Sequence, residues 1–275
     1  MLKNNNSYVI SNYTLGNTLN LKIAILADLH ETNPIEIVKI LKKEMPNIIL
    51  CPGDIFERHS IDRESNQAHR KDLSLLESLF FKSSILFSRF LNTFPFLRLR
   101  DEQKIEYGYL FIQEISKIAP MYLSVGNHET FYTQNDLSII ENSGVTLLDN
   151  NDCEIYINNI LIRIGGLSSY ANYSWLNEYS TKDGIKLLMC HHPEYYPKIL
   201  KNINKKENIS LIVSGHVHGG QWKIFGKPLF SPTEGLFPKY GYGNINNHMI
   251  VSGGLSNTVN IPRLFNPREI VFVNL

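Results

Sequence analysis

The sequence predicts an α/β fold in which two stacked sheets are flanked by helices. Short runs rich in Ile, Leu and Val recur in both halves of the chain, and turn residues bound each run, which is typical of buried strands. Segments with helical spacing lie between several of these runs. Because such helices bury one face against a sheet, the pattern indicates helices packed on the outside of both sheets.

The first strand and helix come from residues 21–46. LKIAILA is the first predicted strand. The segment PIEIVKILKKEM then has apolar residues at helical spacing, with Asn33 as the expected cap and Pro34 at the first helical position. Pro46 is expected to end this helix.

The other elements follow the same logic. NIILC and MYLSV are the next two predicted strands, and NDLSIIENSG is a helix closed by Gly144. Asn158-Asn159 is expected to form a tight turn between two later strands. The remaining predicted strands are VTLLD, CEIYIN, ILIRIGG, LLMC, LIVSG, MIVSGG and EIVFVNL.

The segment 57–118 is far longer than one crossover helix requires. We expect a single domain over residues 1–275, with a helical insertion or cap at 57–118. One interpretation is that its helices only cap the core. The other is that the apolar and basic stretch 73–100 touches a membrane or an acyl chain, with its arginines near phosphate headgroups.

Composition narrows the class of protein. The chain has 275 residues, 43% of them hydrophobic, and a net charge of +1, so no global charge favours nucleic acid as a partner. Three cysteines do not form a disulfide framework and favour a reducing compartment. With neither a signal-peptide pattern nor a long apolar stretch, the expected location is cytoplasmic, or peripheral to the inner face of the membrane.

Metal-capable side chains are concentrated in five short blocks, nearly all of which directly follow an apolar run. Carboxyl ends of strands meet at one edge of a sheet, so these blocks are expected to converge. The blocks are Asp28-Leu29-His30, Gly53-Asp54, Gly126-Asn127-His128-Glu129, His191-His192-Pro193 and Gly215-His216-Val217-His218.

Carboxylate, imidazole and amide oxygen are ligands that suit a hydrolytic site with two cations. Residues i and i+2 of a strand point to the same side, so Asp28 with His30, and His216 with His218, are expected to face one site together. Asp54 is expected to bridge two cations. Each block alone is a weak indication of a metal site, and the prediction rests on the occurrence of all five in order after successive strands. Whether His191 or its neighbour is the ligand stays open.

The ordered pattern D-x-H, G-D, G-N-H-E, H and G-H-x-H resembles the calcineurin-like metallophosphoesterase superfamily over residues 21 to 275, apart from the insertion. This resemblance implies a four-layer α/β/β/α sandwich of two mixed sheets. The motifs GHVHGGQ, VSGGL and PRLFNPREI are similar to one bacterial branch. Members of that branch are commonly described as metal-dependent phosphodiesterases, often membrane-associated or exported.

The resemblance also implies a role for each block. His128 would stabilise the transition state or protonate the leaving oxygen, and Glu129 would orient it. Glu57, where the family often has an aspartate, would not be a ligand. The first metal would be held by Asp28, His30, Asp54 and His218, and the second by Asp54, Asn127, His191 and His216.

The expected function is that of a phosphoesterase with two divalent metal ions (Mn, Fe, Zn or similar), in which a bridging hydroxide attacks phosphorus. The substrate is expected to be a phosphodiester or a pyrophosphate, with a lipid-linked ester such as UDP-diacylglucosamine as one option. Alternatives are a nucleotide phosphodiesterase or phosphatase, and a non-catalytic metal-binding scaffold. Retention of His128 and the complete ligand set argues against the scaffold.

Overall fold

A computed structural model describes residues 8–16, 19–59, 79, 82–83, 86, 100–204, 206–231, 234–259 and 263–275. Its first sheet has six strands, of which the four from Lys22–Ile25 to Thr146–Leu148 run parallel. The strand Glu269–Asn274 lies antiparallel to Lys22–Ile25 and parallel to Val9–Thr14. In spatial order the strands are β1 (Val9–Thr14), β15 (Glu269–Asn274), β2 (Lys22–Ile25), β3 (Ile48–Cys51), β4 (Met121–Ser124) and β5 (Thr146–Leu148).

The second sheet is also mixed, with four parallel strands between two antiparallel edge strands. Asn158 and Asn159 have φ values of 51° and 62° between β6 (Asn151–Ile157) and β7 (Ile160–Leu167), so the predicted tight turn is confirmed. In spatial order the strands are β13 (Gly243–Ile245), β14 (Met249–Val251), β9 (Leu211–Ser214), β8 (Ile185–Cys190), β7 (Ile160–Leu167) and β6 (Asn151–Ile157).

Five α-helices cover the outer faces of the two sheets in the described part of the chain. The helices α1 (Ile35–Glu44), α2 (Ile105–Ile115) and α3 (Gln134–Asn142) pack on the first sheet, and α4 (Tyr173–Thr181) and α5 (Tyr196–Asn202) pack on the second. Ile23 and Leu50 of the first sheet meet Leu187 and Val213 of the second in a fully buried middle layer. The predicted four-layer α/β/β/α sandwich of two mixed sheets is confirmed.

A small antiparallel sheet extends from the second half of the chain. It contains β10 (Trp222–Ile224), β11 (Lys227–Ser231) and β12 (Gly235–Leu236). No pattern in the sequence predicted it, because its strands have only two to five residues. The same holds for β1, an edge strand in which the apolar Val9 and Ile10 are exposed together with Asn12 and Thr14, so no alternation marks it.

Local signals place the helix ends within a residue or two. Helix α1 begins at Ile35, one residue later than predicted, and the Asn33 side chain accepts a hydrogen bond from the Ile35 amide at 3.0 Å. Helix α3 begins after Thr133, whose hydroxyl and the Asp136 carboxylate form a reciprocal capping box.

Of the expected insertion, the structure describes 57–59, 100–118 and four residues between them (79, 82–83 and 86), and the part 100–118 contains α2, packed in the outer layer. The predicted cap or membrane contact at 73–100 lies almost wholly outside the described residues. Within the described part of the chain, no helix combines the length and the apolar character that spanning a bilayer requires.

Candidate metal centre

The five blocks lie at the carboxyl ends of adjacent parallel strands in both sheets. Those of the first sheet follow β2, β3 and β4, and those of the second follow β8 and β9. The structure brings all of the predicted metal and catalytic residues to this one end of the sandwich. The residues are Asp28, His30, Asp54, Asn127, His128, His191, His216 and His218.

The side chains converge through left-handed loops and not through strand alternation. Asp28, His30, Asp54, His216 and His218 have φ values of 59°, 50°, 58°, 70° and 49°. A non-glycine residue in this region is uncommon and is held there by surrounding contacts. The prediction that residues i and i+2 share a side because they extend a strand was therefore wrong in its reasoning, although both pairs do reach the site.

The loops after β3 and β4 lie in direct backbone contact. A Cβ on Gly126 would lie 2.1 Å from Oδ1 of Asp54, and one on Gly53 would lie 2.6 Å from the Gly126 Cα. Gly53 also has a φ of 125°, which L side chains rarely adopt. Both glycines are needed because any side chain would push Asp54 away from the histidines.

The first cluster contains two histidines whose Nε2 atoms face each other. His30 Nε2 lies 3.2 Å from His218 Nε2. The buried Oδ2 of Asp28 has no hydrogen-bond partner among the described atoms, while its Oδ1 accepts from the His216 amide at 2.9 Å. Ligand atoms about 2.1 Å from one ion lie about 3 to 3.5 Å apart, so this arrangement fits a cation.

The second cluster centres on Asp54 and Asn127. His191 Nε2 lies 3.1 Å from Asp54 Oδ2 and 3.0 Å from Asn127 Oδ1, and that Oδ1 lies 2.8 Å from His216 Nδ1. Asp54 Oδ2 is also 3.8 Å from His30 Nε2 of the first cluster. One carboxylate oxygen therefore lies between the two sets of donors.

His191 and His192 have different surroundings. Nε2 of His191 points at Asp54 and Asn127, as described above. Nδ1 of His192 instead bonds to Glu194 at 2.7 Å, and its ring stacks on Tyr195 at a centroid distance of 4.7 Å. His191 is therefore the histidine that reaches Asp54 and Asn127. The ring of His192 lies beside that of His216, at a centroid distance of 4.3 Å, and groups with Glu194 and His216 at the spacing of metal ligands.

Glu57 organises three histidines beside the site. Its carboxylate lies 2.6 Å from His30 Nδ1, 3.0 Å from His128 Nδ1 and 2.7 Å from His59 Nε2. Burial raises the pKa of Glu57, but these hydrogen bonds outweigh burial and lower it well below the usual range. Burial alone would lower the pKa of His128, but the charges of Asp54 and Glu57 outweigh it and raise this pKa to about 9.

Glu129 has a different role from the predicted one. Its described hydrogen bonds come from backbone amides, and the carboxylate beside the His128 ring is that of Glu57. Glu129 thereby holds the loop after β3 against the loop after β4. Its donors are the amides of Asp54, Ile55, Phe56 and Gly126, at 2.8 to 3.1 Å.

Arg58 was missed by sequence reasoning. Its guanidinium forms a bidentate ion pair with Asp136 at 2.7 and 2.8 Å and a third contact with Glu31 at 2.6 Å. Its backbone amide also donates to the carbonyl of His128 at 2.7 Å. A single residue thus connects α3, the loop after β2 and the loop that carries His128, and only the fold reveals it.

Arg263 and Asn266 hold the loop that carries His218. Both side chains donate to the His218 carbonyl, at 2.9 and 2.7 Å respectively. Arg263 also donates to the carbonyl of Ser256 at 2.6 Å and to that of Gly253. The PRLFNPREI motif was noticed in the sequence, but its role in positioning this loop was not.

Comparisons with known proteins identify a family. The model of the calcineurin-like phosphoesterase family matches residues 21–220. A Caenorhabditis elegans protein named "Putative metallophosphoesterase F40B5.2" is 24% identical over 170 residues, which cover 56% of this chain and 35% of that protein. An uncharacterized Bacillus subtilis protein, YpbG, is 32% identical over 120 residues, covering 42% of this chain and 44% of its own length.

Among solved structures, a dimetal phosphatase from Danio rerio aligns over 88% of this chain and 90% of its own, with a TM-score of 0.43 and 13% identity. The chain spans less than half the length of the two relatives named above. The family model covers well over half of the chain. The chain belongs to the calcineurin-like phosphoesterase family.

Proposed function

We propose that this chain is a metal-dependent hydrolase of phosphate esters that uses two divalent cations. The observation that carries the proposal is the position of Asp54 Oδ2, 3.1 Å from His191 Nε2 and 3.8 Å from His30 Nε2. A carboxylate between two sets of nitrogen and oxygen donors suits a pair of cations about 4 Å apart. Membership of the calcineurin-like phosphoesterase family supports the same chemistry.

The two cations would be held by donors from both sheets. When bound, they supply Lewis-acid polarisation of the phosphoryl oxygens and a water of lowered pKa. Mixed nitrogen and oxygen donors accept Mn, Fe or Zn, so availability selects among them. The donors would be Asp28, His30, Asp54 and His218 for one cation, and Asp54, Asn127, His191 and His216 for the other.

His128 is proposed as the proton donor to the leaving oxygen. Its side chain is 31% exposed, so a substrate can reach the ring. Nδ1 is engaged by Glu57 at 3.0 Å, which leaves Nε2 directed towards the site, 3.9 Å from Asp54 Oδ2. The Glu57 carboxylate favours the imidazolium, and the imidazolium carries the proton at Nε2 that a leaving alkoxide needs.

The proposed substrates are phosphodiesters or pyrophosphates, including lipid-linked ones. The apolar and basic composition of 73–100, within the proposed cap of a single domain, supports a lipid-linked ester. Cys51 and Cys190 are buried free thiols, which supports a reducing location such as the cytoplasm or the inner face of the membrane.

The test begins with metal-depleted protein. Calorimetric titration with Mn²⁺ is expected to give two binding events, and hydrolysis of bis(p-nitrophenyl) phosphate is expected to follow their occupancy. His128→Asn should lower kcat by about 10²- to 10⁴-fold, the usual worth of a general acid, while both binding events remain. Asp54→Asn should weaken both.

His191→Asn and His192→Asn form a matched pair, since the two residues are adjacent and buried. Only the first is expected to abolish one binding event. If the protein binds two cations yet hydrolyses no phosphodiester, monoester or pyrophosphate with any of the metals, the hydrolase proposal is wrong and a scaffold remains. If His128→Asn retains full activity, its proposed role is wrong.

A further inference from the structure

Three phenylalanine rings project from the small sheet into solvent. Phe225, Phe237 and Phe265 are 99%, 72% and 88% exposed. All three have left-handed backbones, with φ values of 49°, 50° and 52°. A bulky residue rarely adopts this conformation, and an exposed ring recovers none of its cost by packing. Three such residues in one region call for a partner outside the described residues of the chain.

The three residues lie on neighbouring segments of the small sheet. Phe225 occupies the turn between β10 and β11, which is closed by the pairing of Ile224 with Lys227. Leu264 pairs in parallel with Trp222, so Phe265 lies alongside β10 near that turn. The Phe237 amide donates to the Leu229 carbonyl at 2.8 Å, which places Phe237 on the opposite side.

Four neighbouring chain segments therefore carry the rings across a width of about 14 Å, since adjacent strands lie about 4.8 Å apart. We refer to Phe225, Phe237 and Phe265 together as the aromatic edge. It is separate in sequence from the stretch 73–100 considered above.

Positive charge accompanies the aromatic edge. Of the five basic residues from Asn208 to Arg268, Lys223 is buried, Arg263 binds backbone carbonyls and Arg268 pairs with Asp101. The exposed basic side chains of this region are therefore those of Lys227 and Lys239, against one acidic residue, Glu234. Lys227 and Lys239 are exposed and lie two residues after Phe225 and Phe237 respectively. Exposed aromatic rings flanked by lysines suit a partner surface with an anionic outer layer and an apolar layer beneath it.

We propose that the aromatic edge binds the surface of an anionic lipid bilayer. The rings enter the boundary between headgroups and acyl chains, and Lys227 and Lys239 remain at the level of the lipid phosphates. An apolar patch on another protein would use the rings equally well, but it would not use the two exposed lysines. The binding does not depend on the proposed hydrolytic function.

This surface borders the candidate metal centre. Pro238 and Lys239, directly after Phe237, line a cavity of about 140 Å³ together with Glu194 and Val217, and Val217 lies between His216 and His218. A chain docked by the aromatic edge would hold this cavity close to the lipid headgroups. If the proposed function holds, phosphate esters carried by lipids are therefore the substrates nearest to the site.

Vesicle flotation of the full chain tests the binding without any assay of activity. It is measured in chelator, on vesicles of phosphatidylcholine with phosphatidylglycerol and on phosphatidylcholine alone. The variants are Phe225→Asn, Phe237→Asn and Phe265→Asn, because asparagine accepts a left-handed backbone and preserves the loops. Each is expected to lower the partition coefficient by about tenfold, and the triple variant should not float.

Met45→Asn is the matched control. Met45 is also apolar, 73% exposed and left-handed, with a φ of 46°, but it lies at the end of α1, away from the small sheet. Its variant should float like the wild type. The charge reversal Lys227→Glu with Lys239→Glu should lower binding to anionic vesicles only.

Three results would overturn the proposal. They are an absence of wild-type flotation on anionic vesicles, wild-type flotation of the triple phenylalanine variant, and equal flotation on neutral and anionic vesicles. Concentration-dependent dimers that the triple variant abolishes, without vesicle binding, would instead assign the aromatic edge to contact between two copies of the chain. None of these outcomes depends on hydrolytic activity. The proposal of bilayer binding and the proposal of hydrolysis can therefore fail independently of each other.

Discussion

Replacement of Arg58 by methionine is expected to destabilise the protein severely. The guanidinium is the shared cation of two buried carboxylates, Asp136 and Glu31, at 2.6 to 2.8 Å. Methionine fills much of the same volume but leaves both carboxylates buried without a counter-charge. Removal of one partner from a buried ion pair costs about 3 to 5 kcal/mol.

The pKa of Asp136 gives an independent magnitude. Burial raises this pKa, but hydrogen bonds from Arg58 and Thr133 outweigh burial and lower it from 3.8 to about 2. That fall corresponds to roughly 2.4 kcal/mol of stability from both partners above pH 4, lost as the pH falls towards 2, and is therefore an upper bound for the share of Arg58. The contact between Arg58 and Glu31 supplies the rest of the expected loss.

The assay is urea unfolding of the wild type and Arg58→Met at pH 7 and pH 3. The difference in unfolding free energy is expected to be about 3 to 5 kcal/mol at pH 7. It should be at least about 1 kcal/mol smaller at pH 3, because part of the stability that the lowered pKa of Asp136 gives the wild type is lost there. Lys39→Met is the control, because its contact with Glu36 is exposed and worth at most about 0.5 kcal/mol. A loss at pH 7 below about 1 kcal/mol, or an equal loss at both pH values, would refute the reasoning.

Three further outcomes are expected. Lys223 is buried against the Tyr242 ring, and burial lowers its pKa to about 7. Between pH 7 and 10 the unfolded chain therefore binds more protons than the folded protein, so the free energy of unfolding should rise by up to about 1.4 kcal/mol per pH unit. Lys223→Met should remove that slope in urea titrations at several pH values. Arg263→Lys should weaken Mn²⁺ binding by about 10- to 100-fold in calorimetry, because lysine cannot hold the carbonyls of His218 and Ser256 together. Mn²⁺ at about 100 times its Kd should stabilise the metal-free protein by about 2.7 kcal/mol, seen as a higher Tm that EDTA reverses.

The strands and the ligand blocks were predictable from the sequence because their signals are local. A buried strand such as β8 needs an unbroken apolar run, and a block directly after it must lie at the end of the sheet. The left-handed loops were not predictable, because Asp28 and His30 are held in that conformation by contacts with β3 and the loop after it.

Positioning residues were missed for a different reason. Glu57, Arg58 and Arg263 act on segments that are distant in the sequence, so no spacing marks them. Glu129 illustrates the same limit. Its proximity to His128 in the sequence suggested that it orients that ring, whereas the fold turns its carboxylate towards four backbone amides.

The order of strands in the first sheet has a consequence during translation. Strand β15 lies between β1 and β2, yet the ribosome makes it after every other strand of either sheet. Until Glu269–Asn274 leaves the exit tunnel, β2 keeps an open edge lined by Ile23 and Ile25, and β1 has no strand to pair with. Open apolar edges recruit other chains. We therefore expect the nascent protein to need a chaperone at that edge, and ribosome pauses shortly before Glu269 to lower its yield.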